Sequence, residues 1–179
     1  MNTGRDDMPR AETKRLVPAA LGLLTLLAAC GGSDRVTPPP ADDIECLARA
    51  MYFESNRSSR DGMIAVGSVV MNRVASDDFP DTICGVVSQH NQFAPGVMTR
   101  PMNEAGATLA RQAAVAVHNG ERHPHVSAAR FFHAAWYKAN FNNIHYVLTT
   151  GGNAFYEKRR PEQVLVRVPL PPTEGITPG

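Results

Sequence analysis

Glu54 is the residue whose placement asks most of its surroundings. Ile44, Leu47, Ala50 and Met51 recur at helical spacing, and Glu54 lies seven residues after Leu47 and four after Ala50. At about 100° per residue its carboxylate falls in the middle of that apolar stripe. A carboxylate on a buried face is desolvated unless it is paired or lines a cleft, and desolvation favours the protonated form. A carboxyl group still protonated near neutral pH is what a general acid requires. If the helix stops near Tyr52 instead, Glu54 faces water and does none of this. Six histidines (90, 118, 123, 125, 133 and 145) are the other titratable candidates. His123-Pro124-His125 has the spacing of two metal ligands on a strand, but it follows Gly120 beside a proline, which favours an exposed loop. No His-Glu-x-x-His or comparable zinc signature accompanies it, so the expectation is no metal and no cofactor. A glycine-rich phosphate loop, an SxxK serine site and basic-aromatic interleaving for nucleic acid are all absent.

The elements that must position Glu54 follow from periodicity and caps. A first helix is expected from Asp42 or Asp43 to about Asn56. A second opens on a capping-box-like Ser58 and Asp61, with Met63, Gly67, Val70, Met71 and Val74 on one face. Gly67 in that face weakens the helix by roughly 1 kcal/mol relative to Ala and suggests close approach of another backbone. Phe79-Pro80 breaks the chain, residues 82–88 form a helical turn, and residues 103–119 form an alanine-rich helix ended by Gly120. Residues 130–133, 146–149 and 154–157 read as short antiparallel strands, although 128–137 also fits a helix. The fold class is therefore α+β, mostly helical, with a small antiparallel β element.

The ends of the chain read differently. Arg5, Arg10, Lys14 and Arg15 precede an apolar run at residues 16–29. Fourteen residues are too few for a membrane-spanning helix, which needs about 20. A basic segment, a short apolar segment and small residues before a break have the form of an export signal. The break, Leu27-Ala28-Ala29-Cys30-Gly31, resembles the lipobox of bacterial lipoproteins. That resemblance implies cleavage before Cys30, lipidation of its thiol and a membrane anchor, with Gly31 fitting the outer membrane facing the periplasm. The alternative is an ordinary signal with an incidental cysteine. Residues 30–42 read as a glycine- and proline-containing tether, and 43–160 as the folded domain. Residues 161–179 carry five prolines; Val164, Val166 and Val168 suggest a short edge strand and the last ten residues a disordered tail.

Local strings add a second resemblance. Residues 46–55, CLARAMYFES, are similar to the opening motif of the SleB-type cell wall hydrolases, which include spore-cortex lytic enzymes. Residues 62–74 resemble that family's second helix with its terminal Asn-Arg, here Asn72 and Arg73. Residues 79–87 and the pair Gln92-Phe93 follow in the family's order. Phe132-His133-Ala134, Trp136 and Gly151-Gly152 with Phe155-Tyr156 match its C-terminal signature more loosely. The resemblance covers about residues 44–158. It implies a lysozyme-like single catalytic domain that cleaves peptidoglycan glycan strands between N-acetylmuramic acid and N-acetylglucosamine, often as a lytic transglycosylase. The family's acid falls on Glu54. Gln92, Phe93, Trp136 and Tyr156 are the expected glycan-binding residues, since sugars present apolar faces and hydroxyls together. Where the family commonly has a histidine, this chain has Asn153, which hydrogen-bonds but does not titrate.

A two-carboxylate mechanism would draw on Asp77, Asp78, Asp81 or Glu104, each of which also suits a cap or a solvated turn. Two other readings stay open: a weakly catalytic or non-catalytic peptidoglycan-binding lipoprotein, and a zinc amidase acting on the peptide stem. With Cys30 lipidated, Cys46 and Cys84 are the right number for one disulfide in an oxidising compartment, or else two buried thiols. Across 179 residues, 18 basic and 17 acidic side chains give a net charge of +1. That balance excludes a strongly basic nucleic-acid binder. Removing residues 1–29 takes away one more basic than acidic side chain and leaves the remainder neutral, histidines apart.

Overall fold

The computed structural model describes residues 41–102 and 105–178. Its order is α1 (Ala41–Glu54), α2 (Arg60–Val74), α3 (Ile83–Val87), α4 (Ala107–His118), β1 (Phe131–Ala134), β2 (Ile144–Thr150) and β3 (Asn153–Lys158), then a 3-10 turn at Pro161–Gln163. The strands form one antiparallel sheet in the order β1-β3-β2. The mostly helical α+β reading stands. Among the described residues no helix is long and apolar enough to cross a membrane. The expected signal, the lipidation site Cys30 and most of the tether lie outside the described residues.

α1 carries Asp42 and Asp43 inside its first turn, where negative charge complements the helix dipole, rather than as caps. Leu47, Ala50 and Met51 are fully buried, so the stripe read from the sequence is the face turned to the core. α2 starts one residue later than its sequence suggests. Ser59 is the cap, its Oγ accepting from the Gly62 N–H at 2.9 Å, while Ser58 turns back to Asn56 Oδ1. The single apolar face expected for α2 widens to its whole circumference, because α1, α3, α4 and β2 all pack on it. Val66, Val69 and Val70 are helical there despite their β preference; tertiary burial overrides propensity. A Cβ on Gly67 would fall 2.2 Å from Met51 Cε and 3.1 Å from Val117 Cγ2, so the missing side chain lets α1 and α4 close on α2.

Cys46 of α1 and Cys84 of α3 form a disulfide with a Cα separation of 5.3 Å. α4 begins at Ala107 rather than 103, after Gly106 at φ 94°, where a Cβ would meet Arg57 O at 2.5 Å. Phe131–Ala134 form strand rather than helix, one residue later than expected, β1 pairing Phe131 with Tyr156 and His133 with Ala154. The β2–β3 turn is Gly151-Gly152, both at positive φ (57° and 83°), as tight hairpin turns demand. One sheet face, with Phe132, Leu148 and Phe155, joins the main core. Tyr146 and Ala154 belong instead to a smaller cluster with Ile144.

The C-terminus departs most from what its sequence suggests. Val164–Val168 do not form a strand, although the Tyr146 N–H donates to Val166 O at 3.1 Å. The last ten residues are not a free tail. The Thr173 N–H donates to Thr149 O at 2.9 Å. The Ile176 and Thr177 N–H groups donate to the two oxygens of Asp61 at 2.8 and 2.7 Å. Composition suggests disorder here because prolines and few apolar residues cannot build a core; backbone hydrogen bonds to a buried carboxylate hold the segment without one.

Candidate active site

Glu54 is the last residue of α1 and is half-buried. Its Oε1 accepts a short hydrogen bond from the Ala94 N–H. Burial pushes its carboxyl above the usual carboxylate range, while the Ala94 N–H and the Arg73 cation pull the other way and only partly offset it. Ala94 sits in the loop following α3, which is tied to α1 elsewhere as well. Arg49 Nε donates to Val97 O at 2.6 Å and its Nη2 to Arg100 O, and the Arg100 guanidinium lies 4.5 Å from the Phe53 ring centroid. The loop lines an open pocket of about 350 Å³, with Gln89, Asn91, Phe93 and Ala94 among its walls. That volume lies within the range of small-ligand sites.

Arg73 is the cation of the site. It is 3% exposed, its Nε donates to Arg130 O at 2.8 Å, and its guanidinium lies 5.1, 5.4 and 5.9 Å from the ring centroids of Phe79, Phe93 and Phe131. Its Nη1 has no hydrogen-bond partner among the described residues. Burial lowers its pKa to about 10, against the attraction of Tyr156 and Glu54, so it remains charged at neutral pH. The three rings surround this charge, which acts on Glu54. Arg73→Met should raise the Glu54 pKa further, since only the Ala94 N–H would then oppose burial. The alkaline limb of any rate that needs protonated Glu54 should move to higher pH in this variant and stay in place in Arg73→Lys. Coincident limbs for all three proteins would show that this charge does not act on Glu54.

The expected glycan-binding residues differ in exposure. Tyr156 is half-buried, stacked on Phe131 at 5.6 Å between ring centroids, and interacts with Arg73. Phe93 is buried at 8% exposure, under Arg73 and 6.4 Å from Phe132, so its ring is mainly part of the core. Gln92 is exposed. Trp136 is 82% exposed on the loop after β1, in ring contact with Tyr137 at 6.4 Å. The contacts therefore link Glu54, Ala94, Arg73, Phe93 and Tyr156, and among the described residues Trp136 reaches Tyr156 only through the rings of Tyr137 and His133. Asn153, in the position of the family's histidine, is buried and donates from Nδ2 to the Glu54 carbonyl at 2.5 Å. It satisfies a carbonyl at the α1 C-terminus that the helix itself cannot.

Of the carboxylates considered as partners for Glu54, none of those described is buried against it. Asp77 and Asp81 are exposed, Asp78 is exposed and paired with Arg130 at 2.9 Å, and Glu104 is outside the described residues. Among the described residues no three His, Cys, Asp or Glu side chains converge as a metal-holding group. His123 is buried, its Nδ1 accepting from the His125 N–H at 3.2 Å. Nothing in the sequence marks the Ala94 N–H, because any residue but proline supplies one. The caging of Arg73 is foreshadowed only by the Asn-Arg pair at the end of the second helix.

Among the described residues, four α-helices and a three-stranded antiparallel sheet around a half-buried acid define a lysozyme-like domain, and the same fold is found in solved SleB catalytic domains. The chain shares 26% identity with that of the germination-specific lytic transglycosylase SleB from Bacillus anthracis, at a TM-score of 0.55, over 66% of this chain and 96% of that one. The Bacillus cereus SleB catalytic domain gives the same identity and TM-score over 66% and 91%. Residues 57–156 match the family described as Cell Wall Hydrolase, and the chain belongs to that family. Glu54 lies three residues ahead of the matched segment. Among curated relatives, the spore cortex-lytic enzyme of Bacillus cereus is 29% identical over 109 residues, 49% of this chain and 42% of that protein. The spore cortex-lytic enzyme of Oceanobacillus iheyensis is 36% identical over 66 residues, 35% of this chain and 24% of that protein. The matches thus span 24% and 42% of the length of these relatives.

Proposed function

We propose that this protein cleaves the glycan strands of peptidoglycan between N-acetylmuramic acid and N-acetylglucosamine, as a lytic transglycosylase with Glu54 as sole acid and base. The observation that carries the reading is the environment of Glu54: a carboxyl group raised by burial and fixed at one oxygen by the Ala94 N–H. Oε2 is then the oxygen that carries the proton. Glu54 donates it to the glycosidic oxygen as the bond to the muramic acid C1 breaks, and the substrate's own 2-acetamido group stabilises the cationic centre. The Glu54 carboxylate, stabilised by Ala94 and Arg73, next takes the proton of the muramic acid C6 hydroxyl. O6 closes on C1, giving a 1,6-anhydro end and restoring the protonated acid. One carboxyl group suffices because the attacking oxygen belongs to the substrate. Tyr156 and the pocket beside Ala94 offer contacts for the sugar rings, Gln92 and Trp136 outer contacts.

The same reading places the enzyme on a membrane through lipidated Cys30, facing the periplasm from the outer membrane, with residues 30–42 as the tether. The lipobox-like string supports this, and Cys30→Ala should release the protein into the soluble fraction. Mass spectrometry of products from purified sacculi tests the chemistry in one run. Muropeptides ending in 1,6-anhydromuramic acid are expected. Reducing-end muramic acid would make it a hydrolase, free stem peptides an amidase, and no release a binding protein.

A further inference from the structure

We propose that the C-terminal strap, residues 173–177, positions Glu54 by clamping the Gly151-Gly152 turn, with Glu174 as the positioning residue. The proposal rests on the reading of Glu54 as the acid. The strap lies beyond residues 57–156, the segment that matches the family.

The turn stands between the strap and the acid. On one side the Gly151 carbonyl accepts from the Asn56 N–H at 2.8 Å, and Asn153 donates to the Glu54 carbonyl, so both ends of the residue pair flanking Ser55 are held by this hairpin. On the other side Glu174 uses both carboxylate oxygens. Oε1 accepts from the Gly151 N–H at 2.8 Å and Oε2 from the Ser59 hydroxyl at 2.6 Å. Ser59 is also the cap of α2, so one carboxylate ties the turn to the start of that helix. The Asp61 contacts to Ile176 and Thr177 fix the strap a few residues further on.

A clamp is needed here for a physical reason. Two consecutive glycines at positive φ form the turn, and glycine has the most backbone freedom to lose. Gly62 and Gly151 touch backbone to backbone: a Cβ on Gly62 would fall 2.5 Å from Gly151 Cα. A turn that slides on α2 takes Asn56, Asn153 and the end of α1 with it. A displacement of about 1 Å in a reacting group is enough to cost up to about 10²-fold in rate.

The test compares wild type, Glu174→Ala, Glu174→Gln and a chain ending at Pro172, at temperatures well below each melting point. Soluble peptide-free glycan strands are the substrate, and amide exchange of Asn56 and Gly151 is followed in parallel. Expected for Glu174→Ala and the truncation are a kcat about tenfold lower, KM within about twofold, and faster exchange at both amides. Glu174→Gln, which keeps one acceptor oxygen, should fall between. If the truncated chain does not fold, the two point variants decide. Faster exchange with unchanged kcat would overturn the proposal, since the strap would then be merely structural. Unchanged exchange would overturn it too. If wild type cleaves nothing, the reading of Glu54 falls and the positioning role falls with it. An active wild type with indifferent variants removes the strap proposal alone.

Discussion

Glu54→Gln is expected to cut the release of soluble muropeptides from sacculi by about 10²–10⁴-fold, the usual share of a general acid, while leaving the fold intact. Glutamine keeps an oxygen for the Ala94 N–H and nearly the same volume, so the loss isolates proton transfer from geometry. The same substitution should also stabilise the protein at pH 7. Burial raises the Glu54 pKa in the folded state, so the native protein binds this proton more tightly than the unfolded chain does. The associated stability is fully present below the unfolded pKa and is lost as pH rises through the raised folded value. The melting temperature of Glu54→Gln should therefore exceed that of wild type above this window and converge with it below about pH 4. Equal muropeptide release from both proteins would sink the catalytic role. Equal melting curves at every pH would show that Glu54 carries no burial cost (the premise of its acidity), even if activity fell.

Removing the Cys46–Cys84 disulfide should be the largest single loss of stability. The bond closes a loop across 38 positions, worth about 4 kcal/mol in the chain-entropy view. That is a large fraction of the roughly 5–15 kcal/mol that holds a typical domain together. Cys46→Ala/Cys84→Ala should melt roughly 10–20 °C below wild type, and wild type should fall to the same midpoint when unfolded in reductant. Activity at 25 °C should change by no more than about twofold, because Cys46 lies two turns of α1 from Glu54 and the Ala94, Arg49 and Asn153 contacts survive. A reductant-insensitive melting point would contradict the assignment of this bond as the main staple between α1 and α3.

Much of this domain is legible in the amino-acid sequence. The stripe of Leu47, Ala50 and Met51 places Glu54 on a face turned to the core, where it is half-buried, and the ordered motifs from 46 to 156 point to the cell wall hydrolase family to which the chain belongs. Periodicity also finds the three strands and the α3 turn, with boundaries off by one or two residues. Local signals suffice there because apolar spacing and turn glycines act on neighbouring residues. They fail where the partner is distant in sequence. Ser58 has the composition of a cap, but Ser59 is the one that reaches Gly62 and Glu174. Asp61 looks like half of a capping box and instead receives Ile176 and Thr177 across 115 and 116 positions.

Residue types and their spacing alone put one carboxyl group on an apolar helix face, beside the motifs of the cell wall hydrolase family. Tertiary structure alone decided what surrounds that group. The Ala94 N–H is a backbone donor that no residue type announces, the cage of Phe79, Phe93 and Phe131 around Arg73 joins four separate stretches of chain, and Asn153 reaches back 99 positions to the Glu54 carbonyl. Protonation depends on desolvation and on fields from such neighbours, and these exist only once the chain has closed on itself.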